Sequence, residues 1–232
     1  MRSAVALLLA VACGASGLAR AEVVEARPDG FLVTISMQTK ASPSAVYEML
    51  VKPQKWWSGE YTWSGDPARL SLVPEAGGCW CERWEQGTAE HGRVRMALPG
   101  RMLRLDMVPG PLQDLPLRGV LTWWIRDGED EAAPTALDLE YRIGGPDWAG
   151  LDEAAADVDM MFSKQVERLH RLLETGNPEP PADPRPDDGE TSYERAAAAA
   201  ERAAIIEQWR AAMEQELSGK PKAAPVPVPP RE

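Results

Sequence analysis

The stretch Leu151–Leu173, LDEAAADVDMMFSKQVERLHRLL, constrains this chain more than any other. Its apolar residues fall at Leu151, Ala154, Ala155, Val158, Met161, Phe162, Val166, Leu169, Leu172 and Leu173. Steps of three and four place them on one stripe of a helix. Asp152, Glu153, Asp157 and Asp159 stand early, and Lys164, Arg168, His170 and Arg171 stand late. That order complements the helix macrodipole. Gly176 and Pro178 supply the stop. At ~1.5 Å per residue the helix is about 34 Å long. A one-sided helix of that length needs a broad apolar surface to lie on, and the residues before it have to provide one.

Those residues read as strands. Phe31, Val33, Ile35 and Met37 alternate with polar neighbours and predict a first strand. Ser42-Pro43 then predicts a helix start, and a short helix through Val46, Tyr47, Met49 and Leu50 is broken at Lys52-Pro53. A second short helical turn begins at Gln54–Trp57. From Leu70 to Ile143 about six strands follow: Leu70–Val73, Cys79–Trp84, His91–Leu98, Met102–Met107, Val120–Arg126 and Ala136–Ile143. In the last, Leu137, Leu139, Tyr141 and Ile143 oppose Asp138, Glu140 and Arg142. One wet face argues for an antiparallel sheet.

The ends differ in composition. MRSAVALLLAVACGASGLARA carries Arg2, a short apolar run and an Ala19-Arg20-Ala21 cleavage site. It reads as a secretory signal over residues 1–21, too short to span a membrane, with acylation at Cys13 as the competing reading. The mature protein is then periplasmic or secreted. Its removal takes away Arg2 and Arg20 and no acid, so the formal charge goes from -11 to -13. Without a basic cluster, nucleic acid is excluded as a partner. Residues 22–30 read as an N-terminal linker and 31–176 as the domain. Residues 177–190 are Pro- and acid-rich and read as a linker. Residues 191–218 read as an accessory helix whose narrow stripe (Ile205, Ile206, Trp209, Met213) suits a weakly docked helix, self-association or a protein partner. Residues 219–232 read as a Pro-rich disordered tail.

Cys79 and Cys81 remain after cleavage, on one face of a strand. A disulfide between them is expected to strain an extended backbone, and two thiolates are too few for a closed zinc site. They read as two small buried residues or as a redox or metal pair. No metal site and no cofactor are expected.

The element order is strand, two short helices, about six strands, long helix. ASPSAVYEML, KPQKWW, GGCWCERW, EHGRVRMALPGRMLRL and GPLQDLPLRGVLTWW stand in that order. Over roughly Phe31 to Thr175 the chain resembles the SRPBCC (START-like) superfamily, in particular bacterial proteins grouped with polyketide cyclase/dehydrase-like proteins and activators of heat-shock chaperone ATPase. The resemblance implies an α+β helix-grip fold, a curved antiparallel sheet wrapped around a long C-terminal helix. It also implies a cavity between sheet and helix that takes a small hydrophobic or amphipathic molecule. Trp84, Val94, Met96, Leu105, Tyr141, Met161 and Phe162 are the expected lining.

Glu82 and His91 are the polar residues of interest, on neighbouring strands, with Glu82 on the face of Trp80 and Trp84. A carboxylate among tryptophans is expected to have a raised pKa and to serve as general acid or base, or to hold a ligand's polar end. Arg101 and Arg104 are further anion-holding candidates. G-x-S-x-G, H-E-x-x-H, P-loop and G-x-G-x-x-G patterns are absent. Three readings stand: a small-molecule binding protein, a cyclase/dehydrase-type enzyme using Glu82 and His91, and a protein-interaction module. An exposed patch of Trp56, Trp57 and Trp63 would mark the third.

Overall fold

A computed structural model describes residues 20–128, 133–180 and 211 of the chain. Arg20–Arg27 (β1) and Gly30–Thr39 (β2) open the fold as an antiparallel hairpin, from Arg27 opposite Gly30 to Arg20 opposite Ser36. Residues 22–30, expected to be a linker, therefore supply most of an edge strand. Their own alternation is poor because a bulge between Val23 and Glu25 breaks it; β1 borrows its order from the backbone of β2.

Pro43–Leu50 (α1) forms as expected, with the Ser42 hydroxyl accepting from the Ala45 N–H at 3.3 Å and Pro43 at the first position. The second helix does not form. Three single 3-10 turns stand there instead, at Pro53–Lys55, Gly59–Tyr61 and Pro67–Arg69. Pro53, Gly59, Gly65 and Pro67 leave no run long enough for α-helical hydrogen bonding.

Six strands then follow: Leu70–Leu72 (β3), Cys79–Trp84 (β4), Gly87–Leu98 (β5), Met102–Met107 (β6), Arg118–Arg126 (β7) and Thr135–Gly144 (β8). All eight form one antiparallel sheet in the order β1-β2-β8-β7-β6-β5-β4-β3. Every neighbour is joined by a sequential connection except β2 and β8, which pair from Gly30 opposite Gly144 to Thr39 opposite Thr135. β5 carries two bulges. Trp80 faces Gly92 and Cys81 faces Glu90, so His91 is the extra residue of the first; Arg95 is that of the second.

Leu151–Thr175 (α2) is the long helix, ended by Gly176 at φ 78°, a conformation that favours glycine. Its stripe packs on β2 and β1. Val33, Ile35, Tyr141, Val158, Phe162 and Leu169 are almost completely buried there. The structure is thus α+β, a curved antiparallel sheet gripping a long helix. Beyond the helix, the 3-10 segment covers the β4–β6 part of the core with Trp56, Trp57 and Tyr61. Among the described residues no helix is long and apolar enough to cross a membrane. The signal segment before Arg20, the linker from 181, the accessory helix but for residue 211, and the tail lie outside the described residues.

Candidate functional site

Irregular backbone creates the demand that shapes this site. A segment of short turns pairs only some of its own N–H and C=O groups, and the buried remainder need partners. Side chains from the regular elements supply them. Gln165 on α2 accepts from the Ser58 N–H at 2.8 Å, and Arg168 Nε donates to the Trp56 carbonyl at 2.7 Å. Glu82 on β4 accepts from the Trp63 N–H at 3.0 Å and the Ser64 N–H at 2.6 Å. These ties explain three polar residues in the core.

Glu82 is fully buried. Its Oε2 also lies 2.8 Å from His91 Nε2. Burial pushes the Glu82 carboxyl up, but the hydrogen bonds from His91, Ser64 and Trp63 outweigh it and hold the group below its ordinary value. The expected raised pKa is therefore corrected: a carboxylate with three donors is stabilised in its charged form. An ionised Glu82 only accepts, so Nε2 carries the proton of the shared hydrogen bond.

The bulge turns His91 inward. As the extra residue of β5, it is buried together with the adjacent Gly92, where simple alternation would bury only one of the two. Its ring leans on Trp80 (centroids 6.1 Å apart), which meets Trp57 edge-on at 4.8 Å. Trp57 Nε1 donates to the Tyr61 carbonyl at 3.0 Å.

His91 sits in the wall of a cleft of about 350 Å³ at the rim of the sheet. The floor is the end of β6 at Met107. Gly92 and Gly119 flank it closely: a Cβ on Gly119 would fall 2.0 Å from the Met107 carbonyl oxygen and 2.6 Å from the Tyr141 hydroxyl. Tyr141 donates to that same carbonyl at 3.2 Å. The outer wall is the connection from β6 to β7, with a 3-10 turn at Gly110–Asp114. Gln113 pins it by donating to the Val108 carbonyl at 2.9 Å and the Glu90 carbonyl at 3.1 Å. Val108, Leu115 and Leu117 make the apolar side, and Glu90, Asp106 and Arg118 the polar rim. Behind His91 and Met107 lies an inner pocket of about 10 Å³, walled by Trp57, Tyr61, Trp63 and Met161. It has room for about one water. Burial, then Glu60 and Asp157, push the Tyr61 phenol up to about 12, so it stays neutral.

The opening is thus at the rim, beside His91. Between sheet and α2, Val94, Leu105, Tyr141 and Phe162 are buried as packing. Met161 is buried and touches the inner pocket. Met96, expected to line a cavity, is 43% exposed because the Arg95 bulge shifts the alternation of β5. Trp84 is half-buried and lies over Gly87 at the hairpin end. The exposed Trp patch that would have marked an interaction module does not form from these residues. Trp56 and Trp57 are buried and Trp63 half-buried, while Trp124 and Trp148 are the exposed ones. Arg104 stacks over Trp124 at 5.6 Å and donates to Thr122, so it is already engaged. Cys79 and Cys81 are joined in a disulfide with their Cα atoms 5.4 Å apart. That is closer than the roughly 6.6–7.2 Å of two fully extended residues, so the backbone of β4 is contracted at the disulfide, opposite the β5 bulge. Among the described residues no three His, Cys, Asp or Glu side chains converge as a metal site.

No family model matches the chain, and no curated protein matches it. Similar solved structures include a protein from Mesorhizobium loti, 19% identical over 62% of this chain and 96% of its own, with a TM-score of 0.44. A conserved protein of unknown function from Enterococcus faecalis is 12% identical over 86% of this chain and 90% of its own, with a TM-score of 0.45. A protein from Micromonospora echinospora is 13% identical over 85% and 98%, with a TM-score of 0.44. These likenesses are too faint to carry a function across.

Proposed function

We propose that this is an exported protein that binds a small amphipathic molecule in the rim cleft. The ligand's polar end lies on His91 and its apolar body along Met107, Val108, Leu115 and Leu117. One observation carries the reading: a buried histidine, fixed by a buried carboxylate, lines both an open cleft and the pocket behind it. A cleft with an apolar side and few convergent polar groups is the usual form of a small-ligand site. The START-like resemblance supports the same class. Export is supported by the signal-like N-terminus, whose cleavage after Ala21 leaves most of β1 on the sheet, and by a disulfide suited to an oxidising compartment.

The Glu82–His91 pair favours an enzyme as the second reading, of cyclase or dehydrase type. A carboxylate that orients an imidazole is a familiar arrangement for acid/base work. Glu82, saturated by its donors, would orient, and His91 would move the proton.

The test is native mass spectrometry of protein recovered from the periplasm, with organic extraction, on wild type and His91→Gln. A stoichiometric small molecule held by the wild type and lost from a variant of unchanged melting temperature supports the cleft. Equal retention by both removes His91 from the site. Turnover of the extracted compound, abolished in His91→Gln, decides for the enzyme.

A further inference from the structure

We propose that Cys79–Cys81 is a redox-active pair that exchanges with dithiols at the outer face of β4, rather than a structural cross-link. The proposal is independent of the ligand reading. It begins from the ring size. The bond spans one intervening residue, so it restricts the unfolded chain far less than a long loop does. The fold does not depend on it either. β4 is already hydrogen-bonded on both sides, Ser71 opposite Cys81 and Leu72 opposite Trp80 on β3, Cys79 opposite Arg93 on β5. The bond thus sits inside a ladder that already holds both cysteines.

The pair is also accessible. Trp80 and Glu82 point into the core, and the two cysteines between and beside them face outward, half-buried. Only the three-residue β3 lies beyond β4 at this edge of the sheet. The surroundings are asymmetric. Cys79 Sγ is 3.9 Å from Glu90 Oε2, the placement of a carboxylate that takes a thiol proton, and Glu90 is ion-paired with Arg93. Arg83, two residues beyond Cys81 on the same face, bonds only to the Ser71 hydroxyl, at 3.4 Å, and makes no ion pair among the described residues. Ser71 stands opposite Cys81, so the Arg83 charge lies beside Cys81 and favours a thiolate there, whereas Arg93, opposite Cys79, is already paired with Glu90.

The exchange follows from that asymmetry. The thiolate of an incoming dithiol bonds to Cys79 Sγ, the Cys79–Cys81 bond breaks, and the electron pair leaves on Cys81 Sγ. The second thiol of the reductant gives up its proton and attacks its own sulfur in the mixed disulfide, expelling Cys79. The dithiol ends as a disulfide, and the pair ends as two thiols with two electrons and two protons gained. In the reverse reaction the Cys79 thiol gives its proton to Glu90 and attacks the partner's disulfide, the Cys81 thiolate then attacks Cys79 Sγ in the mixed disulfide, and the partner leaves as a dithiol while the Cys79–Cys81 bond re-forms.

The experiment is equilibration of the folded, full chain in buffers of reduced and oxidised glutathione, and separately with dithiothreitol. Maleimide trapping and peptide mass spectrometry then localise the label to Cys79 and Cys81, apart from Cys13. The expected result is passage from mostly disulfide to mostly dithiol within the glutathione series, with the melting temperature lowered by no more than a few degrees. A pair that stays oxidised in excess dithiothreitol under native conditions overturns the proposal. So does reduction that abolishes the cooperative melt. The single variants test the asymmetry: Cys81 in Cys79→Ser is expected to alkylate at lower pH than Cys79 in Cys81→Ser, and coincident pH profiles overturn the assigned leaving group.

Discussion

The two halves of the core are closed in different ways. Over β1 and β2, with β8 beside them, the cover is a helix, which satisfies its own backbone. The packing there is mainly apolar, through Val33, Ile35, Tyr141, Val158, Phe162 and Leu169, with Thr39 donating to Glu174 at the end of the helix. Over β4 to β6 the cover is a run of 3-10 turns, which pairs only part of its own backbone. Four buried polar side chains serve it, Glu82, His91, Gln165 and Arg168, each tied directly or through Glu82 to residues 56–64. The difference teaches where polarity in a core comes from. Irregular cover imports charged and amide side chains, and a chemically useful pair stands where cover is least regular. The cleft opens on that side.

Five measurements can break or sharpen the contrast. Phe162→Ala removes a fully buried ring from the helix-covered half and should cost about 3–5 kcal/mol in denaturant unfolding. A cost below ~1 kcal/mol would mean that this half is not close-packed. Glu82→Ala strands the Trp63 and Ser64 N–H groups and the His91 N–H, and about 3 kcal/mol is expected by the same measurement. The pH dependence has a definite sign. Because Glu82 is held below its ordinary 4.5, its contribution is full above that value and is lost as pH falls below it. Wild type should lose stability in acid more steeply than Glu82→Gln; parallel curves would show that the pair does not hold the turns.

Gly119→Ala tests the cleft floor. Its Cβ meets a backbone carbonyl that cannot swing away, so about 1–3 kcal/mol of destabilisation is expected, with weaker retention of whatever the cleft holds. The smallest effect concerns Asp159 on α2, whose Oδ1 is buried without a hydrogen bond and whose carboxyl burial pushes up. A raised group destabilises the fold at neutral pH and ceases to do so below its unfolded value near 3.8. Asp159→Asn should gain less than ~1 kcal/mol at pH 7 and nothing near pH 3, read from melts at the two pH values. A loss at pH 7 would give Asp159 a structural role.

Much of this was legible before any coordinates. The stripe of α2 and the alternation of β2 and β8 are periodic, and periodicity is what sequence reports well. Glu82 was legible as a carboxylate among tryptophans, but its pKa direction was not. That depends on two backbone N–H groups from residues 63 and 64, which no pattern in β4 records. Met96 was misplaced for a related reason: one extra residue at Arg95 shifts every later side chain of β5. β1 was missed because its order comes from β2. Gln113, Arg118 and Gly119 fall between the expected strands Met102–Met107 and Val120–Arg126 and were passed over; the glycine beside the later strand was the available signal.

The pairing of β2 with β8 has a consequence in time. Six of the seven strand pairings join consecutive pieces of chain, but in the seventh Thr39 waits for Thr135. At about 5–20 residues per second of synthesis, the β1–β2 hairpin stands without its inner neighbour for roughly 5–20 s. The helix that covers it arrives later still. A domain that cannot close until its last strand and helix are made remains unfinished for most of its synthesis, and its refolding in isolation should be set by that single long-range closure rather than by any of its hairpins.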